Sequence, residues 1–319
     1  MNYLNSKIEA LLNGQSLNAL SKERERLTRL YKGRAGNQEL TALSSDSQRL
    51  AYLATRLPAT HAVVCKVLNE MGRRGGGMEI ASLLDAGAGP GTAFLAAIEA
   101  GLPLKTATLL ERDPGFIALG RQLASEYGHI EQNWLLRDMT QAWDLAPHDL
   151  VIASYSLNEL REKERLEVVE KLWNLAQKFL IIIEPGTRMG FEGLLKMRQN
   201  LLLKGAHLIA PCPHSNQCPI SEKDWCHFSA RIQRSSFHRK TKDATLNYED
   251  EKFSYVIFSK TKFAPCQSRV LRHPFKGEGF VKLQLCSSNG IEVKTITKKN
   301  KPQYSHAKKI EWGDNFAEV

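Results

Sequence analysis

The chain has 319 residues, 42% of them hydrophobic and 24% charged, the composition of a globular protein long enough for two or three compact units. No apolar run approaches the ~20 residues of a membrane span, and the opening MNYLNSKIEALLNG has neither a secretory core nor the Arg-rich character of a transit peptide, which together predict a cytoplasmic protein in a reducing compartment. The net charge of +10 is uneven: residues 201–319 carry 20 Lys and Arg against 11 Asp and Glu, while residues 1–200 carry 24 against 23, so any polyanion binding belongs to the last third.

Residues 1–75 read as a helical region. Lys22–Tyr31, Ser47–Arg56 and Ala59–Met71 carry helical patterns, the last two broken by Pro58. Val63, Val67 and Leu68 recur at helical spacing, and Cys65 on that apolar face reads as core. From Glu79 strands and helices alternate, which predicts a parallel sheet with crossover helices. The predicted strands are Ile80–Leu84, Thr106–Leu110, Asn133–Arg137, Asp149–Tyr155 and Phe179–Glu184. Phe228–Gln233 and Phe253–Ser259 suit a closing antiparallel pair, with residues 210–227 inserted before strand six. The tail, 263–319, predicts short strands at Phe280–Cys286 and Ile291–Ile296 around an Asn-Gly turn. Its lysines, Lys298, Lys299, Lys301, Lys308 and Lys309, interleave with Tyr304, His306 and Trp312, a mixture that suits phosphate contacts and base stacking. The predicted units are 1–75, 76–262 and 263–319.

Leu83–Thr92, LLDAGAGPGT, sits between the first strand and a helix-like segment, Ala93–Glu99. Gly87, Gly89 and Gly91 allow a sharp turn with no Cβ in a ligand's way, and the following helix start offers free N–H groups. The spacing is G-x-G-x-G rather than the dinucleotide G-x-G-x-x-G. Asp85 precedes the first glycine by two residues and suits a cationic or zwitterionic ligand better than a pyrophosphate. The motif resembles the first motif of Rossmann-like S-adenosylmethionine methyltransferases. Glu111, ending the second strand, is placed for ribose hydroxyls, with Asp113 as a substitute. Asp138, after the third strand, is placed for the adenine amino group.

Residues 210–227, APCPHSNQCPISEKDWCH, are polar and proline-containing and hold three of the six cysteines. With no secretory signal, clustered cysteines point to metal before disulfides. Cys212, Cys218 and Cys226 need a fourth ligand; Cys286 is the first choice, with Cys266, His214 and His227 as alternatives. Neither gap is a C-x-x-C knuckle, which lowers the case for a zinc ribbon, while the wider spacing with adjacent prolines is compatible with an iron–sulfur cluster.

Several blocks occur in one order: RLPATHAVVCKVLNE at 56–70, LLDAGAGPGTA, IIIEPGTRMGF at 181–191, Cys212-Pro213-His214, Cys218-Pro219, Cys226, EKFSYVIF at 251–258, Cys286 and Trp312-Gly313-Asp314. In this order they resemble the methyltransferase-like assembly proteins of the mitochondrial ribosomal small subunit and their bacterial relatives. The resemblance implies an α/β, Rossmann-like S-adenosylmethionine methyltransferase fold with an N-terminal helical region, a cysteine-rich metal-binding insertion and a small β-rich basic C-terminal extension. It implies S-adenosylmethionine and a 4Fe–4S cluster as cofactors and small-subunit rRNA as partner. By motif match the cluster ligands are Cys212, Cys218, Cys226 and Cys286, and Cys266 is spare.

The leading expectation is therefore an rRNA-binding small-subunit assembly protein with a structural cluster. An active rRNA methyltransferase is the second reading, and a small-molecule methyltransferase with a zinc-stapled insertion the third. The loop after strand four, Ser154–Glu159, lacks an Asn/Asp-Pro-Pro-aromatic run, and no cysteine follows strand four or five as a nucleophile. Asn158, Glu159 and Glu184 are within reach of a substrate, but none is assigned as a base.

Overall fold

Apolar residues alternate between the two faces of the central strands, and each face has its own helical cover. The computed structural model describes residues 2–32, 45–221, 223–234, 236–242 and 245–317. Helices α1 (Asn2–Leu12), α2 (Leu17–Lys32), α3 (Asp46–Thr55) and α4 (Leu57–Arg74) come first. Ser45 caps α3 by accepting from the Gln48 amide, and Pro58 lies in the first turn of α4, where its missing N–H has no role in the helix. Pro58 thus starts a helix rather than interrupting one.

Then follow β1 (Ser82–Ala86), α5 (Thr92–Glu99), β2 (Thr106–Glu111), α6 (Pro114–Leu123), β3 (Glu131–Leu136), β4 (His148–Ser154), α7 (Glu162–Leu175), β5 (Ala176–Pro185) and α8 (Arg188–Leu203). The chain continues through β6 (His207–Ala210), β7 (Phe228–Gln233), α9 (Ser236–Lys242) and β8 (Tyr248–Ser259). The strand order is β3-β2-β1-β4-β5-β8-β6, with β1 to β5 parallel and β8 antiparallel to β5. Leu83, Leu109, Ile152 and Ile181 pack on one face with α4 and α5, while Leu84, Leu110, Val151 and Leu180 pack on the other with α7 and α8.

Strand six differs from the reading of the sequence. β6 pairs with β8 from His207↔Ser259 to Ala210↔Ile257, and β7 continues along the same β8 from Phe228↔Phe253 to Gln233↔Tyr248. The two pieces run in one direction along the edge that β5 leaves free. Residues 211–227 therefore leave and rejoin an interrupted edge strand instead of preceding it.

A second sheet holds β9 (Ser268–Val270), β10 (Phe275–Gly277), β11 (Phe280–Ser287), β12 (Gly290–Thr297) and β13 (Asn315–Phe316), with α10 (Lys301–Ala307) packed against it. Its core is Val270, Val281, Leu283, Leu285, Ile296, Ala307, Ile310 and Phe316.

Arg269, 1% exposed, joins these parts. It donates to Pro211 O (2.8 Å), Gly313 O (2.7 Å) and the Glu70 carboxylate on α4 (2.7 Å). Removing one partner of a buried pair leaves an uncompensated charge. Arg269→Met is expected to lower stability by about 3–5 kcal/mol in a denaturant titration, and Arg269→Met with Glu70→Leu is expected to recover part of that loss.

Candidate functional site

Two polar arrangements are built into the sheet. The first lies at the carboxyl ends of the parallel strands. The Gly87 and Ala88 amides both donate to Leu110 O, at 2.9 and 2.8 Å, and this pins the glycine turn to β2. Gly87, Gly89 and Gly91 have φ of +73°, +54° and +80°, where a side chain is strained. A Cβ on Gly87 would lie 2.4 Å from Ser156 Cβ and 2.8 Å from Met139 Cε, whereas one on Gly89 would meet nothing within 4 Å. The turn is closed on the β4 side and open at Gly89.

Asp85 is buried and accepts from the Phe94 amide at 3.3 Å. Desolvation pushes its carboxyl up to about 7 against the opposing pull of the Phe94 and Ala93 amides. Glu111 is also buried; it accepts from the Gly89 amide at 2.7 Å and the Asp113 amide at 2.8 Å. Burial raises its carboxyl too. Glu111 thus touches the open corner of the glycine turn. Asp138 is more exposed and accepts from the Thr140 amide (2.8 Å) and hydroxyl (2.7 Å). Burial pushes its carboxyl up, but the Thr140 hydrogen bonds outweigh that and hold it below the usual range.

Asp113, the alternative to Glu111, serves elsewhere. It caps α6 by accepting from Gly115 and Phe116, and it pairs with Arg49 on α3 at 2.9 Å. Of the three residues that the sequence offered as substrate neighbours, Glu159 pairs with Arg112 at 3.2 Å, and Glu184 is fully buried with its Oε1 accepting from the Asn158 amide at 3.2 Å. Sequence reasoning missed Tyr155. It directly follows β4 in the left-handed region at φ 58°, a conformation that costs a bulky residue roughly 1–3 kcal/mol. Among the described residues its buried hydroxyl has no hydrogen-bond partner.

The second arrangement is a cavity of about 40 Å³ between α8, residues 211–227 and the second sheet. Cys212, Cys218, Cys226 and Cys286 all line it, with Arg198, Arg269 and His214. His214 Nε2 is 3.7 Å from Cys286 Sγ. Burial pushes the Cys212 and Cys226 thiols up, and neighbouring cysteines add to this in both. Burial and the same neighbours push Cys286 up to about 12. Arg198 is 2% exposed and donates to His214 O (3.0 Å) and Asn216 O (2.9 Å), which fixes the loop bearing Cys212 and Cys218. Ser254 on β8 donates to Cys226 O at 2.7 Å.

The other candidates fall outside this cavity. Cys266 is buried beside Arg269, 4.0 Å from its Nη2. His227 stacks on Trp225 and meets the Trp312 ring edge-on. Cys65 lies on α4, where burial pushes its thiol up to about 12. Among the described residues, no three His, Cys, Asp or Glu side chains converge as the ligands of one metal ion would.

Strand order, the antiparallel β8 and the acid-led glycine turn define a Rossmann-like α/β protein of the methyltransferase class. The profile of the family described as mitochondrial small ribosomal subunit Rsm22 matches residues 46–317, and the chain belongs to that family. It is 27% identical over 291 residues to human METTL17, a mitochondrial ribosome assembly protein, with 85% of this chain and 62% of the relative covered. It is 26% identical to the mitochondrial Rsm22-cox11 tandem protein 2 of Schizosaccharomyces pombe, with 87% and 44% covered. The chain thus spans under two thirds of either relative. Among solved structures, magnesium protoporphyrin IX methyltransferase of Synechocystis PCC 6803 with bound SAM is 15% identical, with 74% of this chain and 90% of that one covered and a TM-score of 0.42. The expectation of a cytoplasmic protein is overturned by these relatives, which are mitochondrial; N-terminal composition alone was too weak a basis for it.

An acid raised on folding costs stability once it must ionise, so stability present below about 4 is lost as pH rises toward 7. Without ligand, Asp85→Asn is expected to be about 1–3 kcal/mol more stable than the parent at pH 8. Thermal melts are expected to show this gap narrowing as the pH is lowered to 5.

Proposed function

We propose that this protein is an rRNA-binding assembly factor of the ribosomal small subunit that binds S-adenosylmethionine at its glycine turn and carries a structural 4Fe–4S cluster. The observation that carries the reading is the gathering of Cys212, Cys218, Cys226 and Cys286 around one cavity in a chain of this family. The donor set suits the group: four thiols are the usual ligands of such a cluster, and the buried Arg198 guanidinium, which donates to the backbone carbonyls of His214 and Asn216, stands in the cavity wall to offset anionic charge. When bound, the cluster supplies a covalent cross-link. The chain's own part is to bring three thiols from the connection 211–227 to the cavity that the fourth, on β11, also lines.

S-adenosylmethionine fits the acids at the strand ends. Asp85 and the glycine turn form its floor, Glu111 is the ribose partner at the open Gly89 corner, and Asp138 stands toward the adenine. Methyl transfer to rRNA is the second reading, favoured by the strained Tyr155 at the end of β4.

After anaerobic purification the protein is expected to be brown, to absorb near ~400 nm and to contain about four irons per chain. Cys286→Ser is expected to lower that content sharply. A colourless protein with one zinc per chain would overturn the cluster. For the cleft, Glu111→Ala is expected to weaken S-adenosylmethionine binding in calorimetry by about tenfold or more, the loss of one charge-assisted hydrogen-bonding partner.

A further inference from the structure

In the second sheet, residues paired across β10, β11 and β12 point to the same side. The register pairs Phe275 with Lys282, Gly277 with Phe280, Phe280 with Thr297, Lys282 with Thr295, Gln284 with Val293, and Cys286 with Ile291. The intervening residues, Val281, Leu283, Leu285 and Ile296, fill the small core on the other side. The first set therefore forms a separate face, and most of it is open. Phe275 is 61% exposed, Val293 68% and Ile291 37%, three of the seven large apolar side chains most exposed among the described residues. Apolar exposure concentrated on one side of one sheet marks an interaction surface.

Its chemistry is specific. The Phe275 and Phe280 rings lie 5.9 Å apart and are tilted by 34°, and Lys282 Nζ sits 5.7 Å from the Phe280 ring centre. Lys298 and Lys299 follow directly on Thr297, and the Lys298 amide is anchored to Gly279 O at 3.0 Å. Lys276 flanks Phe275, and Glu278 is the one acid in the β10–β11 turn. Aromatic rings on a sheet face with cations along its rim suit splayed bases that stack, with their phosphates passing over the lysines. A duplex keeps its bases stacked inside and offers no ring face to Phe275.

We infer that this face binds single-stranded RNA, with Phe275 and Phe280 as stacking platforms and Lys282, Lys298 and Lys299 as phosphate contacts. The inference rests on the rRNA-binding reading and adds the surface and the strandedness. The aromatics singled out in the sequence are not on this face. Trp312 is packed between His227 and His273, His306 stacks on Phe316, and Tyr304 lies against the small core.

The test is a salt-dependent binding titration of the full chain with an unstructured single-stranded RNA of about 12 nucleotides and with the matching duplex. The parent is expected to prefer the single strand. Phe275→Ala is expected to lose about five- to a hundred-fold in affinity with an unchanged salt slope. Lys298→Ala with Lys299→Ala is expected to reduce that slope by about 0.7 per lysine. Phe275 is exposed, so its variant is expected to melt like the parent; Val293→Glu, which puts an acid mid-face, is the second probe. Parental affinity in both Phe275→Ala and Val293→Glu would overturn the face while leaving rRNA binding standing, as would a preference for duplex. Loss of small-subunit association with RNA affinity intact would also overturn it, in favour of a protein partner. No RNA binding by the parent would overturn the rRNA reading itself.

Discussion

Arg269 is the constraint on which the arrangement of the whole molecule turns. A guanidinium 1% exposed is expensive to bury unless its donors are matched. Its matches come from three separate parts of the chain: Glu70 on α4, Pro211 at the start of the cysteine-bearing connection, and Gly313 near the C-terminus. Satisfying one arginine therefore sets the N-terminal helices, the interrupted edge strand and the second sheet against each other. It also sets the thiol cavity, since Arg269 on β9 is directly opposite Cys286 on β11. Cys286, paired with Arg269 across β11 and β9, thereby lines the same cavity as the other three cysteines.

What the sequence disclosed, and what it hid, follows from the range of the forces involved. DLVIASY and FLIIIE are apolar on both faces, as strands covered by helices on either side must be, and both were legible. The placement of Asp85 and Glu111 at the carboxyl ends of β1 and β2 was legible too, because strand ends are marked where an apolar run stops. β6 was not: it has four residues, follows the apolar end of α8 and is separated from its continuation by residues 211–227. A period of two has no room to appear in so short a piece. Cys286 was the first choice from sequence, but its place in one cavity with the other three cysteines depends on the register between β9 and β11, which no local pattern carries. Phe275 was hidden by its surroundings, HPFKGEG, which look like a turn. Trp312 misled in the opposite sense, since an aromatic among lysines reads the same whether it faces solvent or packs on two histidines.

The glycine turn departs from what stability alone would select. Asp85 is buried at a cost, three glycines adopt left-handed backbone, and Tyr155 holds a conformation that tyrosine avoids. These departures occur together at the strand ends rather than scattered through the fold, a clustering that accords with the ligand site proposed there. Asp113 makes the contrast. It has the same charge and lies two residues from Glu111, yet it has a helix to cap and Arg49 to pair with, so its environment is fully accounted for by structure.

The carboxyl ends of the parallel strands and the thiol cavity are not independent, because they share α8 and the turn before it. β5 ends at Pro185, and the next residue, Gly186, accepts from the Trp225 indole at 2.9 Å, one residue before Cys226. Further along, α8 presents Arg198, whose hydrogen bonds hold the loop of Cys212 and Cys218. The same β11 that supplies Cys286 at one end carries Phe280 and Lys282 at the other. Residues 211–227 are polar and bury little of their own, so their shape is borrowed from these contacts. A group that bound the four thiols would replace borrowed order with covalent order. Gly186 and β11 thus place the cysteine-bearing connection between the strand ends and the open sheet face.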